Sequence, residues 1–290
     1  MREYVIFTDS TTDITPAMAE ELQLEVLSLS WTMGDKTYIN YLDGREMSAK
    51  DFYDRLRNGE MGTTAQLNPN TFEEAFRPHL EAGKDILYIG FSSALSATFN
   101  SSVMAREQLM EEFPDAKIYC LDSRCASMGE GLLVWYAAQQ KKEGKTIDEV
   151  RDWVEANKLR LNHWFTVDDL KHLQRGGRLS ATQAFAGSLL NIKPVLNVDD
   201  NGKLTPKDKV RGRKKALTAL VEKMAENVEA PEEQVIFISH GDSLEDAEFV
   251  ASLVRERWQV KDIFLNTIGP VIGSHSGAGT IALFYFGKSR

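Results

Sequence analysis

One histidine set among glycines and hydroxyls stands near the end of the chain, in Ile272-Gly273-Ser274-His275-Ser276-Gly277-Ala278-Gly279-Thr280. The apolar run Ile281-Ala282-Leu283-Phe284-Tyr285-Phe286 follows it. Glycines let the backbone approach a ligand closely and take positive φ. Hydroxyls and an imidazole hydrogen-bond an anionic oxygen. Polar atoms beside an apolar wall suit a molecule with a polar end and an apolar body. The same loop also admits phosphotransfer, with His275 as phospho-acceptor.

Other stretches carry similar chemistry, each beside a plainer reading. In Phe91-Ser92-Ser93-Ala94-Leu95-Ser96-Ala97-Thr98, Ser92, Ser93 and Ser96 stand where a helix is predicted to begin. Unpaired N–H groups there favour an anion, and simple N-capping by one serine explains them equally. Arg175 and Arg178 flank Gly176-Gly177, which suits a carboxylate or phosphate, or a turn with solvated charges. Lys207, Lys209, Arg211, Arg213, Lys214 and Lys215 form a local positive patch for an acidic partner or an anionic membrane surface. A solvated strand-to-helix junction is the alternative. Thr8 to Asp13 end the first strand, where open α/β sheets place ligands, yet the same residue types cap helices and close turns. Gly62-Thr63-Thr64-Ala65-Gln66 reads as a polar loop between helices.

Several chemistries find no residues to carry them. There is no G-x-x-x-x-G-K-[ST] loop, no G-x-G-x-x-G after a strand and no G-x-S-x-G elbow. No H-E-x-x-H occurs, His79, His163, His172, His240 and His275 are scattered, and a metal site is not expected. Cys120 and Cys125 are too few for a disulfide scaffold or a cysteine-based zinc site. A net charge of -9 argues against nucleic acid as a partner, and leaves anions to local groups.

The elements that must position these residues alternate between strand and helix. Val5-Ile6-Phe7, residues 24–30, 36–39, Ile86-Leu87-Tyr88-Ile89 and 117–121 read as strands. Helices are predicted over 16–22, 48–56 with Ser48 as N-cap, from Asn68-Pro69, over 94–112, 127–142 and 146–159. This alternation predicts a parallel sheet covered by helices on both faces, in a domain spanning 1–159. The texture then changes. Trp164 to Val167 is a strand, and Asp200-Asn201-Gly202 between alternating runs predicts a hairpin. A helix over 214–227, a strand over 235–239, a helix over 244–258 and a strand over 263–265 complete an α+β domain, 160–290. With 42% apolar residues over 290 positions, the chain can bury a sizeable core. No signal-peptide pattern and no apolar run of about 18 residues is present, so the cytoplasm is the expected compartment.

Asp9-Ser10, Thr64-Ala65-Gln66, Ser92 to Thr98, Asp122-Ser123, Arg175 to Arg178, Lys209 to Gly212 and Gly273 to Gly277 occur in an order that resembles the DegV family of bacterial fatty-acid-binding proteins. The resemblance spans nearly the whole chain. It implies two domains with a long-chain fatty acid, such as palmitate, stearate or oleate, between them and no further cofactor. It implies that Thr64 and Ser93 bond the carboxylate, with His275 near it and Ser92, Ser96, Gly273, Ser274, Arg175 and Arg211 in the surrounding motifs. In members that serve a fatty acid kinase, the protein is non-catalytic: it presents the acid to an ATP-binding subunit that makes the acyl phosphate for phospholipid synthesis. Transient contact with a membrane surface is a further implied partner, and nucleic acid is not. Ala65-Gln66-Leu67, Ala97 and Ala278 depart from the family's usual T-S-Q-P, S-G-T and H-x-G-P-G.

Overall fold

The protein is described by a computed structural model over residues 2–180 and 191–290. In the first half, β1 (Tyr4–Asp9), α1 (Pro16–Glu21), β2 (Leu24–Leu27), β3 (Ser30–Met33), β4 (Lys36–Ile39), α2 (Ala49–Arg57), β5 (Gly62–Ala65) and α3 (Pro69–Glu81) come first. Then follow β6 (Asp85–Gly90), α4 (Thr98–Glu112), β7 (Ile118–Asp122), α5 (Met128–Lys142) and α6 (Ile147–Asn157). The second half holds β8 (Leu161–Thr166), α7 (Lys171–Arg175), β9 (Ile192–Val198), β10 (Leu204–Arg211), α8 (Arg213–Asn227) and β11 (Val235–His240). It ends with α9 (Leu244–Arg257), β12 (Asp262–Thr267), α10 (Pro270–Ser276) and β13 (Ile281–Phe286).

The fold is α/β with two separate principal sheets. The first is parallel throughout, in the order β2-β1-β6-β7. Its central strands are buried on both faces, which is why they read as unbroken apolar runs. Ile6, Leu87 and Ile89 pack towards α1, α5 and α6, whereas Phe7, Ile86 and Tyr88 pack towards α3 and α4. The second sheet is mixed, in the order β10-β9-β8-β13-β11-β12, with β11 and β12 its parallel pair. One face packs on α8 and α9. The other faces α5, so α5 lies between the two sheets. Met128 to Val134 are all buried, as expected of a helix covered all round. Gly131 is needed there: a Cβ would stand 2.7 Å from Ile14 Cγ2 and 2.9 Å from the Thr12 carbonyl oxygen.

A small antiparallel sheet, β4-β3-β5, packs its Trp31 and Met33 with Phe52 of α2 and Val271 of α10. It corrects the expectation of a loop at residues 62–66, because Gly62 to Ala65 pair with Met33 to Ser30. The closing glycine-rich segment is also not simply a loop. Pro270 opens a helix at its first turn, Gly277 ends it at φ 81°, and His275 lies in its last turn. The helix predicted from residue 94 begins only at Thr98, and α7 was not predicted. Ser48, Asn68 and Thr146 cap their helices as expected, Thr146 with Glu149 in a reciprocal capping box. The Asn-Gly hairpin joins β9 and β10 with Gly202 at φ 75°.

Candidate functional site

Between the first sheet's carboxyl-end loops and the α5-facing side of the second lies a cavity of about 180 Å³. At the ~10–15 Å³ that one water needs, this is room for a ligand and no packing flaw. Thr11, Phe91 and Ser127 reach it from the loops after β1, β6 and β7, the place where open α/β sheets bind ligands. Phe165, Ser239 and Ala282 line it from the second sheet. Those three stand side by side on β8, β11 and β13, and the small Ala282 in the middle leaves the wall recessed. Leu29, Leu95, Leu173 and Leu204 make most of the remaining lining apolar.

One end of the cavity is polar. Thr64 of β5, Ser96, Arg178 and His275 of α10 meet there from four separate segments. Thr64 Oγ1 lies 2.8 Å from His275 Nε2. His275 Nδ1 is buried without a hydrogen-bond partner, and it rests on Gly176, where a Cβ would fall 2.1 Å away. Neither ring nitrogen is thus unencumbered for attack on phosphorus. Burial, followed by the Arg178 charge, pushes the His275 pKa down to about 4, so the ring is neutral at pH 7.

Arg178 is the cation of the site. Its Nε donates to the Leu95 carbonyl at 3.0 Å and its Nη1 to the Gly176 carbonyl at 2.5 Å. Both partners are backbone, and burial lowers its pKa. Such a group favours an incoming carboxylate, which fits the guanidinium fork and offsets the cost of burial. A more polar cleft opens on the far side of the same groups, sharing Thr64, Arg178 and His275 and adding Arg175, His172 and Ser274.

Other residues singled out in the sequence lie apart from the polar end. Ser93 is exposed, and its hydroxyl donates to Asp122 at 2.6 Å, so Ser96, three positions on, supplies the cavity hydroxyl. Ser92 is buried and donates to the Gly202 carbonyl at 2.8 Å, joining the first half to the β9–β10 turn. Gly273 lets α10 sit on α2, since a Cβ would meet Phe52 and Tyr53 at 2.7 Å. Ser274 Oγ donates to the Pro270 carbonyl. Arg175 points to Met61 and His172 in the outer cleft. Arg211 is exposed at the end of edge strand β10, far along the sheet from β13, while Arg213 pairs with Asp246. The charges, Pro206 and a register shift on β10 are devices that protect an edge from further pairing.

The acidic turn after β1 serves structure. Asp9 caps the 3₁₀ turn at Ser10–Thr12 and accepts from Tyr88, and Glu130 of α5 accepts from Thr8 and Thr11. Burial, above all, raises the pKa of both carboxyls. Arg178, not the candidate Arg175, is the arginine of this turn that lines the cavity. The Gly-Gly turn was the signal, but not which arginine it turns inward.

Fold and cavity together define an α/β protein able to enclose a molecule with one polar end and an apolar body. The chain belongs to the DegV family, whose model, described as "Uncharacterised protein, DegV family", matches residues 3–288. A DegV domain-containing protein of Clostridium perfringens is 50% identical over 290 residues, covering 100% of this chain and 99% of that one. The crystal structure of DegV from Bacillus subtilis, a fatty acid binding protein, is 30% identical with TM-score 0.85, covering 99% and 100% of the two chains. A DegV family protein of Ruminococcus gnavus, solved with vaccenic acid, is 26% identical with TM-score 0.88, covering 97% and 99%. Among the described residues no helix is long and apolar enough to cross a membrane.

Proposed function

We propose that this protein binds a long-chain fatty acid, with the tail in the apolar cavity and the carboxylate between Thr64, Ser96, Arg178 and His275. One observation carries the reading: a half-buried guanidinium that, among the described residues, bonds only to backbone carbonyls stands at the polar end of an apolar cavity. The Bacillus subtilis and Ruminococcus gnavus relatives, named for a fatty acid binding protein and for bound vaccenic acid, support it. On this reading the chain is two domains, 1–159 and 160–290, meeting at the cavity.

The energetics agree. Burying a tail of sixteen to eighteen carbons at ~0.8 kcal/mol per CH₂ contributes roughly 10 kcal/mol before losses. The carboxylate is the costly part, because an ionised group taken from water needs several donors. The Arg178 guanidinium and the Ser96 hydroxyl supply two, and the Thr64–His275 pair one more: with Nε2 protonated and donating to Thr64 Oγ1, the threonine hydroxyl hydrogen is free for the carboxylate. Ser96 and Arg178 line the cavity, whereas Ser93, which the family resemblance puts on the carboxylate, is bonded to Asp122.

The second part of the proposal is presentation. The carboxylate would lie between the cavity and the outer cleft that Arg175 and His172 line. An ATP-binding kinase subunit docked there reaches the carboxylate oxygen without extracting the tail, and the product is an acyl phosphate. This chain then contributes binding and orientation, and the partner the phosphoryl transfer. Titrating delipidated protein with palmitate, stearate and oleate in a calorimeter tests the binding step. Saturable binding of at least one acid is expected; heats no larger than buffer dilution for all of them would overturn the proposal.

A further inference from the structure

Asp13 is a buried carboxyl between two openings, and the head-group end does not use it. It closes the 3₁₀ turn after β1 at 4% exposure. Its Oδ1 accepts from the Gly269 N–H at 2.8 Å, and its Oδ2 lies 2.5 Å from Ser127 Oγ. Ser127 Oγ is in turn 2.9 Å from Ser239 Oγ. Both serines line the cavity. On its other side Asp13, with Asn40 and Asn266, lines a separate polar cleft of about 280 Å³. The carboxyl is thus one hydroxyl away from the cavity, and the cleft gives it a route for protons.

Each hydroxyl has one hydrogen to give. The Gly269 N–H occupies Oδ1, so a proton on the carboxyl belongs on Oδ2. Protonated, Asp13 donates to Ser127 and Ser127 to Ser239. Ionised, Asp13 accepts from Ser127, which accepts from Ser239. Both states use the same heavy-atom positions, so the proton comes and goes without repacking. The surroundings favour the neutral state. Asp9 of the same turn adds a like charge, and Tyr53 of α2 is a phenol held neutral by burial. Glu130 of α5 is bonded instead to Thr8 and Thr11, and Asp43 in the cleft is paired with Arg45. No cation pairs with Asp13 among the described residues. Burial, above all, pushes its pKa up to about 7, against the Ser127 and Gly269 hydrogen bonds.

An acyl tail in the cavity replaces water beside Ser127 with hydrocarbon. That takes solvation from the ionised state of the chain of hydroxyls and costs the neutral state little. A ligand that disfavours the ionised form of a group brings a proton with it when it binds. We infer that fatty-acid binding is coupled to protonation of Asp13, so that the cavity holds its ligand more tightly below neutral pH than above it. The inference rests on the acyl reading of the cavity. Affinity is constant well below pH 7 and falls as Asp13 ionises in the ligand-free protein. The head-group end does not imitate this, because His275 is neutral throughout that range and the ligand's own carboxyl is ionised.

The test is the pH dependence of affinity. Dissociation constants for palmitate, kept below its aggregation concentration, are measured by equilibrium dialysis between about pH 6 and about pH 8.5. The proteins are the wild type, Asp13→Asn and Asp13→Gly, since both replacements tolerate the local φ of 51° and neither titrates. Wild-type affinity should fall about three- to tenfold over this range, tenfold corresponding to a rise of one pKa unit on filling. Both variants should show a flat profile. A wild type that binds palmitate equally at all pH values overturns the inference and leaves the acyl reading standing. The same slope in a folded variant as in the wild type overturns it too. Palmitate bound by none of the proteins at any pH overturns the acyl reading and this inference with it.

Discussion

Arg178 and His275 show how much of the proposed head-group site is a matter of one residue's neighbours. Removing the Arg178 guanidinium by Arg178→Gln takes away a charge-assisted partner worth ~1.5–3 kcal/mol. Fatty-acid affinity should therefore fall about ten- to a hundredfold by calorimetry. The ligand-free melting temperature should hold or rise, because the guanidinium is half-buried and, among the described residues, bonds to backbone carbonyls alone. A variant that binds as tightly as wild type removes Arg178 from the head-group role. Gly176→Ala acts from behind: its Cβ would fall 2.1 Å from His275 Nδ1, pushing the imidazole towards Thr64. Affinity should drop without loss of any polar group, checked by the same titration. At this scale the sequence was legible in type and less so in place. Ser93 and Ser96 are chemically identical, and only the turn before Thr98 decides that Ser93 faces Asp122 and Ser96 the cavity. Arg175 and Arg178 are likewise separated only by where α7 ends.

Among the elements, α5 and α10 do the positioning. The apolar run of α5 was legible as a helix, but a helix buried all round carries no face to read, so its place between two sheets could not be predicted. Its glycines are the trace of that burial. Alanine is worth ~1 kcal/mol more than glycine within a helix, yet at position 131 a Cβ would press on the immovable Thr12 carbonyl at 2.9 Å. Overpacking of ~1–3 kcal/mol should win, and urea unfolding of Gly131→Ala should show net destabilisation. The cavity-lining Ser127, just before α5, donates to Asp13 at 2.5 Å, and the Gly269 N–H, just before α10, donates at 2.8 Å. Burial pushes the Asp13 carboxyl up to about 7, outweighing those hydrogen bonds. A carboxyl with a raised folded pKa contributes stability that is complete below its unfolded value, ~3.9, and is lost as pH rises through about 7. Asp13→Asn removes that titration, and asparagine tolerates the local φ of 51°. Between pH 5 and 8 the variant should therefore gain stability relative to wild type; a pH-independent difference in denaturant melts would contradict it. The α10 helix was hidden because its glycines and serines imitate a loop, whereas Pro270 at its first turn was the overlooked start signal.

Across the whole molecule, the alternating pattern of the first half and the Asn-Gly hairpin of the second made the two sheets readable. Residues 62–65 were not readable as a strand, because Gly-Thr-Thr-Ala has no apolar alternation and is held by pairing with β3. The cavity itself is a property of both halves, which is why no single motif announced it. Filling it separates binding from folding. Ala282→Leu places added carbons between Ser239 and Phe165, where space is already open, so the melting temperature should hold or rise while fatty-acid binding is lost. The most direct measurement of the central claim is organic-solvent extraction of the protein purified from a bacterial host, followed by mass spectrometry of the extract. Long-chain fatty acid in near-stoichiometric amount is the predicted result, reduced in Arg178→Gln and absent in Ala282→Leu. Wild-type protein that yields no acyl species, and that shows no thermal shift when palmitate or oleate is added, would contradict it.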